Sequence, residues 1–377
     1  MHTAHVPTAQ AHSYTPQRLA VVLHNLGGPT GPTAVRPFLY NLFTDPDIIK
    51  LGGDWRQRLL ASLISGVRAP KVRGKYAAIN ACPNGCTGHA ACPTRQGSSP
   101  STCCSPINPL TERQRESLDS LLSTELPEIE VRVFTAMRYW VPTLDTTLAE
   151  VADFAPTDLV HLPLYPQFSW TTSGSSFRAW HHAERTRYPK QAPWRTFEVK
   201  DYHTDPHLLA ALDARIDQAL AQVPEALRPT THLLFSAHGT PLSEVASGDP
   251  YTEQVRATVH ALVHRRSTRL GYTEPHWLGY QSRVGPAKWT QPNTEALALR
   301  LADYGVPALV IVPVAFVTDH IETLMELNTE LREVLEPKGL HHLVVTEGLN
   351  THPDFVRCLA QQVRNCLRQP DSTPIPA

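Results

Sequence analysis

Eight short apolar runs alternate with longer helical patterns along this chain, and no other feature constrains its fold as tightly. The strand-like runs fall at 19–24, 129–135, 159–164, 196–199, 233–237, 277–280, 308–316 and 343–346. Helical patterns occupy most of the intervals, at 111–122, 206–222, 251–269, 291–304 and 320–335. Strands that alternate with helices pair in parallel, with helices on both faces of the sheet. The pattern runs through two rounds, and 377 residues suffice for two cores. The expectation is therefore an α/β protein of two Rossmann-like, doubly wound lobes, each built on a parallel four-stranded sheet, with an active-site cleft between them.

The expected organisation follows. Residues 1–17 form a flexible N-terminus and 369–377 a flexible C-terminus. Residues 18–178 with 347–368 make the first lobe, because the helix at 353–368 packs back on it. Residues 179–346 make the second, with the stretch from Trp180 to Trp194 as the crossover. Segment 80–104 breaks the pattern: its prolines and glycines forbid a helix or a central strand, so something other than an apolar core must order it.

A net charge of −1 carries no electrostatic footprint for nucleic acid. No apolar run approaches the roughly 20 residues of a bilayer span, and the first 17 residues lack the apolar stretch of a secretory signal. A cytoplasmic protein is expected. Of the seven cysteines, Cys82, Cys86, Cys92, Cys103 and Cys104 fall within 23 residues. In a reducing compartment such crowding favours a metal centre over disulfides.

The chemistry concentrates at strand ends, where open α/β sheets bind ligands. The run at 233–237 stops at His238, followed by Gly239, Thr240 and Pro241. Gly239 permits backbone conformations that other residues resist, and a neutral imidazole serves as a base near pH 7 or as a metal ligand. The run at 308–316 opens into Thr318, Asp319, His320 and Glu322. Glu322, Glu326 and Glu330 then stand at i, i+4 and i+8 on one helical face. On most helices such a row is a solvated face. Here it follows a buried strand, and three neighbouring carboxylates repel unless protons or cations visit them. Arg138 and Tyr139 end another strand and suit a flat anionic ligand, or form an ordinary surface pair. The segments at 36–43 and 59–67 are more apolar than a surface should be. They either pack on their own sheet or form an exposed lip for a greasy ligand or a membrane surface.

These residues together resemble the ferrochelatase family, which inserts ferrous iron into a porphyrin late in haem synthesis. The resemblance rests on six segments in family order: Asn25 to Pro29; Arg36 to Phe43 with Asp45 to Ile49; Leu164 to Phe168 with Gly174 to Ser176; Phe235 to Gly239; Tyr280 to Pro286; and His320 to Leu324. It implies two Rossmann-like lobes and no dissociable organic cofactor. It further implies catalysis by His238 and Glu322, with His320, Glu326 and Glu330 joining that pair in handling Fe2+. Arg68, Tyr76, Ser105, Arg138 and Tyr139 match porphyrin-contact positions. The implied partners are ferrous iron and protoporphyrin IX, with peripheral membrane contact through the apolar lip. Three alternatives stay open: a coproporphyrin III ferrochelatase, a cobalt or nickel chelatase, and a non-catalytic haem-binding protein.

One departure matters. Segment 80–104 stands between Ile79 and Ser105 where the family commonly runs through directly. Animal members, and some bacterial ones, carry a [2Fe–2S] cluster. The animal arrangement is not expected here, since Trp170 occupies its internal ligand position and no cysteine tail follows Cys366. The resemblance to bacterial members with internal cysteines implies a cluster on Cys82, Cys86, Cys92 and one of Cys103 or Cys104. Zinc on the same thiolates, with His89 as a substitute ligand, is the rival, and a segment that holds no metal is the third alternative.

Overall fold

The computed structural model describes residues 17–48, 54–79, 105–282 and 287–368. The cysteine-bearing segment 80–104 and both expected tails, residue 17 apart, lie outside these residues.

All eight apolar runs form strands, in two parallel sheets. The first holds β1 (Arg18–Asn25), β2 (Glu130–Met137), β3 (Asp158–Pro163) and β4 (Arg195–Glu198), ordered β2-β1-β3-β4. The second holds β5 (His232–His238), β6 (His276–Gln281), β7 (Ala308–Pro313) and β8 (His342–Val345), ordered β6-β5-β7-β8. The two orders are the same, as the two rounds of the sequence imply. In register, Leu23 lies beside Leu162 in the first sheet, and Phe235 beside Val312 in the second. The inner strands β3 and β7 are buried at every residue, so they read as continuous apolar runs rather than alternating ones.

The helices bury the sheets from both sides. Before β2 lie α1 (Val35–Thr44), α2 (Asp54–Ala78) and α3 (Ile107–Glu125). Next come α4 (Leu144–Phe154), α5 (Ser173–Arg187) and α6 (Pro206–Ala221). The second round adds α7 (Leu242–Ala246), α8 (Tyr251–Leu270) and α9 (Thr294–Asp303). A π-helix (Glu322–Glu330) continues into α10 (Leu331–Leu335), and α11 (Pro353–Leu367) closes the chain. Local chemistry sets several of these starts. Asp205 accepts from the backbone N–H of His207 and Leu208 at the head of α6, with Pro206 in the first turn. Asn293 caps α9 through Ala296 N. Gly271 ends α8 in the left-handed conformation.

The largest core lies between the sheets. Leu19, Val21 and Leu23 of β1 and Phe235 of β5 share it with Leu212 and Ile216 of α6, Val255 of α8, and Phe355 and Leu359 of α11. Each such side chain contributes about 1.5–3 kcal/mol by leaving water. The outer face of the second sheet packs α9 and α10 on Leu234, Leu309 and Ile311. Helix α11 packs on α6 as well as on α3 and β3.

The lobe boundary differs from the sequence expectation. Residues 179–198 do not open the second lobe. Trp180 and Trp194 bury their rings with Ala20, Val22 and Leu159 of the first sheet, and Phe197 of β4 pairs with Val160 of β3. The crossover is the stretch between β4 and α6.

Candidate active site

Strand order locates the site. In each sheet the chain leaves the first strand in one direction and the third in the other, and the crevice at that reversal is where such sheets bind ligands. In the second sheet the reversal lies between the ends of β5 and β7. His238 is the last residue of β5, and the chain beyond β7 leads to His320 and Glu322.

His238 Nδ1 lies 2.6 Å from the carbonyl oxygen of Gly239. A carbonyl only accepts, so Nδ1 donates and Nε2 is the nitrogen left for proton exchange. The rings of Trp289 and Phe316 stand 6.3 and 6.4 Å from the imidazole, centroid to centroid. Gly239 serves a different purpose from the one its sequence position suggests. Its φ is not positive; a Cβ there would sit 3.0 Å from Gln281 O and 3.1 Å from Ser282 O. The glycine is needed for close approach of two strand ends, including its own N–H bond to Gln281 O at 2.7 Å.

His320 is pinned in the same way, with Nδ1 3.0 Å from Thr318 O and its ring 4.7 Å from Phe316. Its Nε2 faces Glu322 Oε2 at 3.9 Å. Burial favours the neutral ring, but Glu322 outweighs it and raises the His320 pKa. Asp319 fixes the entry to the π-helix: it accepts from Gly348 N, Asn350 Nδ2 and Thr323 Oγ1. Burial pushes the Glu322 carboxyl up, yet His238, His320 and Lys75 prevail and hold it at about 2. Its Oε2 is buried without a hydrogen-bond partner. Glu326 is different. Burial and the neighbouring Glu322 charge raise its pKa, against a 2.8 Å hydrogen bond donated by Ser282 Oγ. Glu330, at the outer end, pairs with Lys75 Nζ at 2.7 Å.

The row was expected on an ordinary α-helix. It stands instead on a π-helix, closed by Leu331 N bonding to Glu326 O five residues back. The wider turn makes a spacing of four fall just short of a full turn, so the three carboxylates stay near one face.

The first lobe supplies the opposite wall. Tyr76 of α2 hydrogen-bonds with Ser105, and burial raises its pKa, with the charge of nearby Glu322 adding to the shift. Gly28 makes room for this contact, since a Cβ there would lie 2.5 Å from Ser105 Cβ. Arg138 is half-buried and occupied: Nη2 meets Asp45 Oδ2 at 2.6 Å, and Nε donates to Ser175 Oγ at 3.0 Å. Tyr139 is buried and donates its hydroxyl to the same Asp45 oxygen at 2.7 Å. Arg68 is exposed, with its guanidinium over the Phe43 ring at 5.6 Å.

The structure therefore brings His238, His320, Glu322 and Glu326 within electrostatic reach of one another beyond the ends of β5 and β7, with Tyr76 and its partner Ser105 close to Glu322. It does not gather the five residues expected to handle iron into a single cage. Among the described residues no three His, Cys, Asp or Glu side chains converge as metal ligands; Glu326 is engaged by Ser282 and Glu330 by Lys75. Arg138 and Tyr139 hold Asp45 rather than presenting a free cation and hydroxyl. Cys82, Cys86, Cys92, Cys103 and Cys104 lie outside the described residues, whereas Cys358 and Cys366 are buried free thiols. Sequence reasoning gave no role to Asp45, Lys75, Ser282 or Trp289, although Asp45 and Ser282 fall within segments that carry the family resemblance. An acid inside an otherwise apolar lip was a further signal for Asp45. Lys75 and Trp289 carried none.

The model of the ferrochelatase family matches residues 18–90 and 94–367. A ferrochelatase of Rippkaea orientalis is 38% identical over 94% of this chain and 84% of its own length. One from Caulobacter vibrioides is 39% identical over 95% and 92%, respectively. Among solved structures, SirB from Bacillus subtilis with Fe3+ superposes with a TM-score of 0.49 at 15% identity, over 68% of this chain and 90% of its own.

Proposed function

The chain belongs to the ferrochelatase family and is a metal chelatase of the lyase class, and from that premise we propose that it inserts Fe2+ into protoporphyrin IX in the crevice between His238 and Glu322. One observation carries the assignment of roles. The His238 imidazole, held through Nδ1 so that Nε2 is left for proton exchange, stands within electrostatic reach of Glu322, a buried carboxylate whose Oε2 has no hydrogen-bond partner.

A free-base porphyrin holds two pyrrole protons that must leave as the dication enters, so insertion needs a base beside the ring and an exit for protons. His238 Nε2 takes a pyrrole proton. Glu322 accepts it or steadies the metal, and His320 keeps Glu322 anionic. Glu326 and Glu330 extend the acidic row outward as the route for protons or metal. Tyr76 and Ser105 bound the crevice from the first lobe, and Arg68 supplies an exposed cation for a porphyrin carboxylate. Arg138 and Tyr139 act through the shape of the wall they hold with Asp45. Anaerobic Fe2+ insertion compared on protoporphyrin IX and coproporphyrin III tests the substrate. Preference for the more carboxylated ring would overturn the protoporphyrin reading, and absence of insertion into either would overturn the enzyme.

The cysteine-bearing segment provides a [2Fe–2S] site on Cys82, Cys86, Cys92 and one of Cys103 or Cys104; five thiols within 23 residues support this. A red-brown protein with acid-labile sulfide after anaerobic purification is expected. A colourless protein holding zinc, or no metal, would reject the cluster. The enzyme acts in the cytoplasm and meets membranes through α2. There Trp55, Leu59, Leu63 and Val67 recur at every fourth position with 63–72% exposure, flanked by Arg56 and Arg58. Among the described residues no helix is long and apolar enough to cross a bilayer. Co-sedimentation with anionic vesicles, lost in L59E/L63E, tests this contact. Equal sedimentation of the variant would refute it.

A further inference from the structure

We infer that Lys75 is a built-in counter-ion of the acidic row, an ammonium that competes with the incoming metal dication at the row's outer end and so sets the apparent affinity for metal. The inference rests on the reading of Glu322, Glu326 and Glu330 as the metal's route. It goes further by assigning a specificity-determining role to a residue of the opposite lobe.

The row faces groups from several elements. His238 of β5 and His320 stand at its inner end, Ser282 beyond β6 donates to Glu326, and Lys75 of α2 closes the outer end. Lys75 Nζ lies 2.7 Å from Glu330 Oε1, with side-chain exposures of 21% and 39%. Its charge also reaches inward, to Glu322 and Glu326. Lys75 is thus the fixed cation that neutralises part of the row when no metal is present.

Its chemistry suits displacement. An ammonium on a four-carbon stem is a point charge that rotates away without loss of a fixed fork geometry, as an arginine would not. The adjacent Tyr76 is buried and hydrogen-bonded to Ser105, so the helix turn stays anchored while the lysine head leaves. A dication interacts with the same carboxylates about twice as strongly as a monocation at equal distance, so metal wins the exchange at a cost set by the Lys75–Glu330 pair. Half-exposed pairs of this kind alter an equilibrium by up to roughly fivefold.

The test is steady-state metalation by the full-length enzyme, with Zn2+ and with anaerobic Fe2+, in wild type, K75M, K75R and E330Q at low and high salt. Lys75→Met keeps the stem and removes the charge. Its metal KM is expected to fall about threefold to fivefold at low salt, converging on wild type at high salt, with porphyrin KM unmoved. Lys75→Arg is expected to keep metal KM at or above wild type. A K75M metal KM that is unchanged or raised would overturn the inference, as would a shift in porphyrin KM alone, which marks a merely structural tie. Glu330→Gln separates the two layers. If E330Q raises metal KM while K75M does not lower it, the route stands and the counter-ion role fails. If E330Q leaves metal KM unmoved, the route itself fails. Thermal melts confirm folding, and K75Q replaces K75M if the latter is unstable.

Discussion

Ser282 offers a perturbation in which backbone strain and charge separate cleanly. Its φ of 58° lies in the left-handed region, and its hydroxyl donates to Glu326 Oε2 at 2.8 Å. Left-handed backbone costs a non-glycine residue about 1–2 kcal/mol. A hydrogen bond to a carboxylate contributes about 1.5–3 kcal/mol, and half-burial places this one at the low end. Its loss removes part of what holds the Glu326 pKa down. The sign follows from the site: burial and the Glu322 charge already raise Glu326, and the Ser282 hydroxyl opposes them. Ser282→Ala and Ser282→Gly both remove the hydroxyl, so Glu326 rises further and the row is fully anionic only at higher pH. Metal kcat/KM against pH is expected to show an acid limb displaced upward in both variants. In stability the two part company, with S282G about 1 kcal/mol above S282A, since only alanine keeps the strain. A raised folded pKa means Glu326 supports the fold below its unfolded pKa and loses that support as pH climbs through the folded value. The stability of S282G relative to wild type should therefore fall as pH rises. An acid limb that stays in place in both variants would refute the coupling of Ser282 to Glu326.

Other consequences are equally direct. Asp45→Asn leaves Arg138, 22% exposed in its side chain, without its counter-ion; it should cost about 2–4 kcal/mol in urea unfolding, and Arg138→Met in the same background should recover part of the loss. Gly28→Ala drives a methyl to 2.5 Å from Ser105 Cβ, so a loss of about 1–3 kcal/mol with weakened porphyrin binding is expected by fluorescence titration. His181, held by Glu184 and Glu198, titrates at about 9 rather than 6.5. Its contribution is complete below pH 6.5 and fades as pH rises through 9, so the wild-type melting temperature should fall across that interval more than that of His181→Gln.

Much of the fold is legible in the chain because inner parallel strands are buried on both faces and so read as unbroken apolar runs. Ends are less legible. The run at 308–316 outlasts β7, which stops at Pro313, because Val314, Ala315 and Val317 are buried beyond the strand. The misplaced lobe boundary has a similar cause: Trp180 and Trp194 sit in a polar context, and only tertiary packing reveals that their rings cover the first sheet. The π-helix is invisible because a spacing of four satisfies it almost as well as an α-helix. At the site, His238 stands out as a strand tip followed by Gly239 and Pro241, although the glycine answers a steric demand from β6. Arg138 and Tyr139 are visible as a pair, but the Asp45 that occupies both lies 94 positions from Tyr139, beyond the reach of any local pattern. Lys75 looks like an ordinary surface residue, and Ser282 stands out only as part of the segment from Tyr280 to Pro286, until the lobes meet around the acidic row.

Removing the His238 imidazole tests the account at its centre. Purified His238→Ala should bind protoporphyrin with wild-type affinity by absorbance titration, yet show no insertion of Fe2+ under anaerobic conditions. Insertion at a rate near wild type would contradict the assignment of the base, and with it the reading of the crevice.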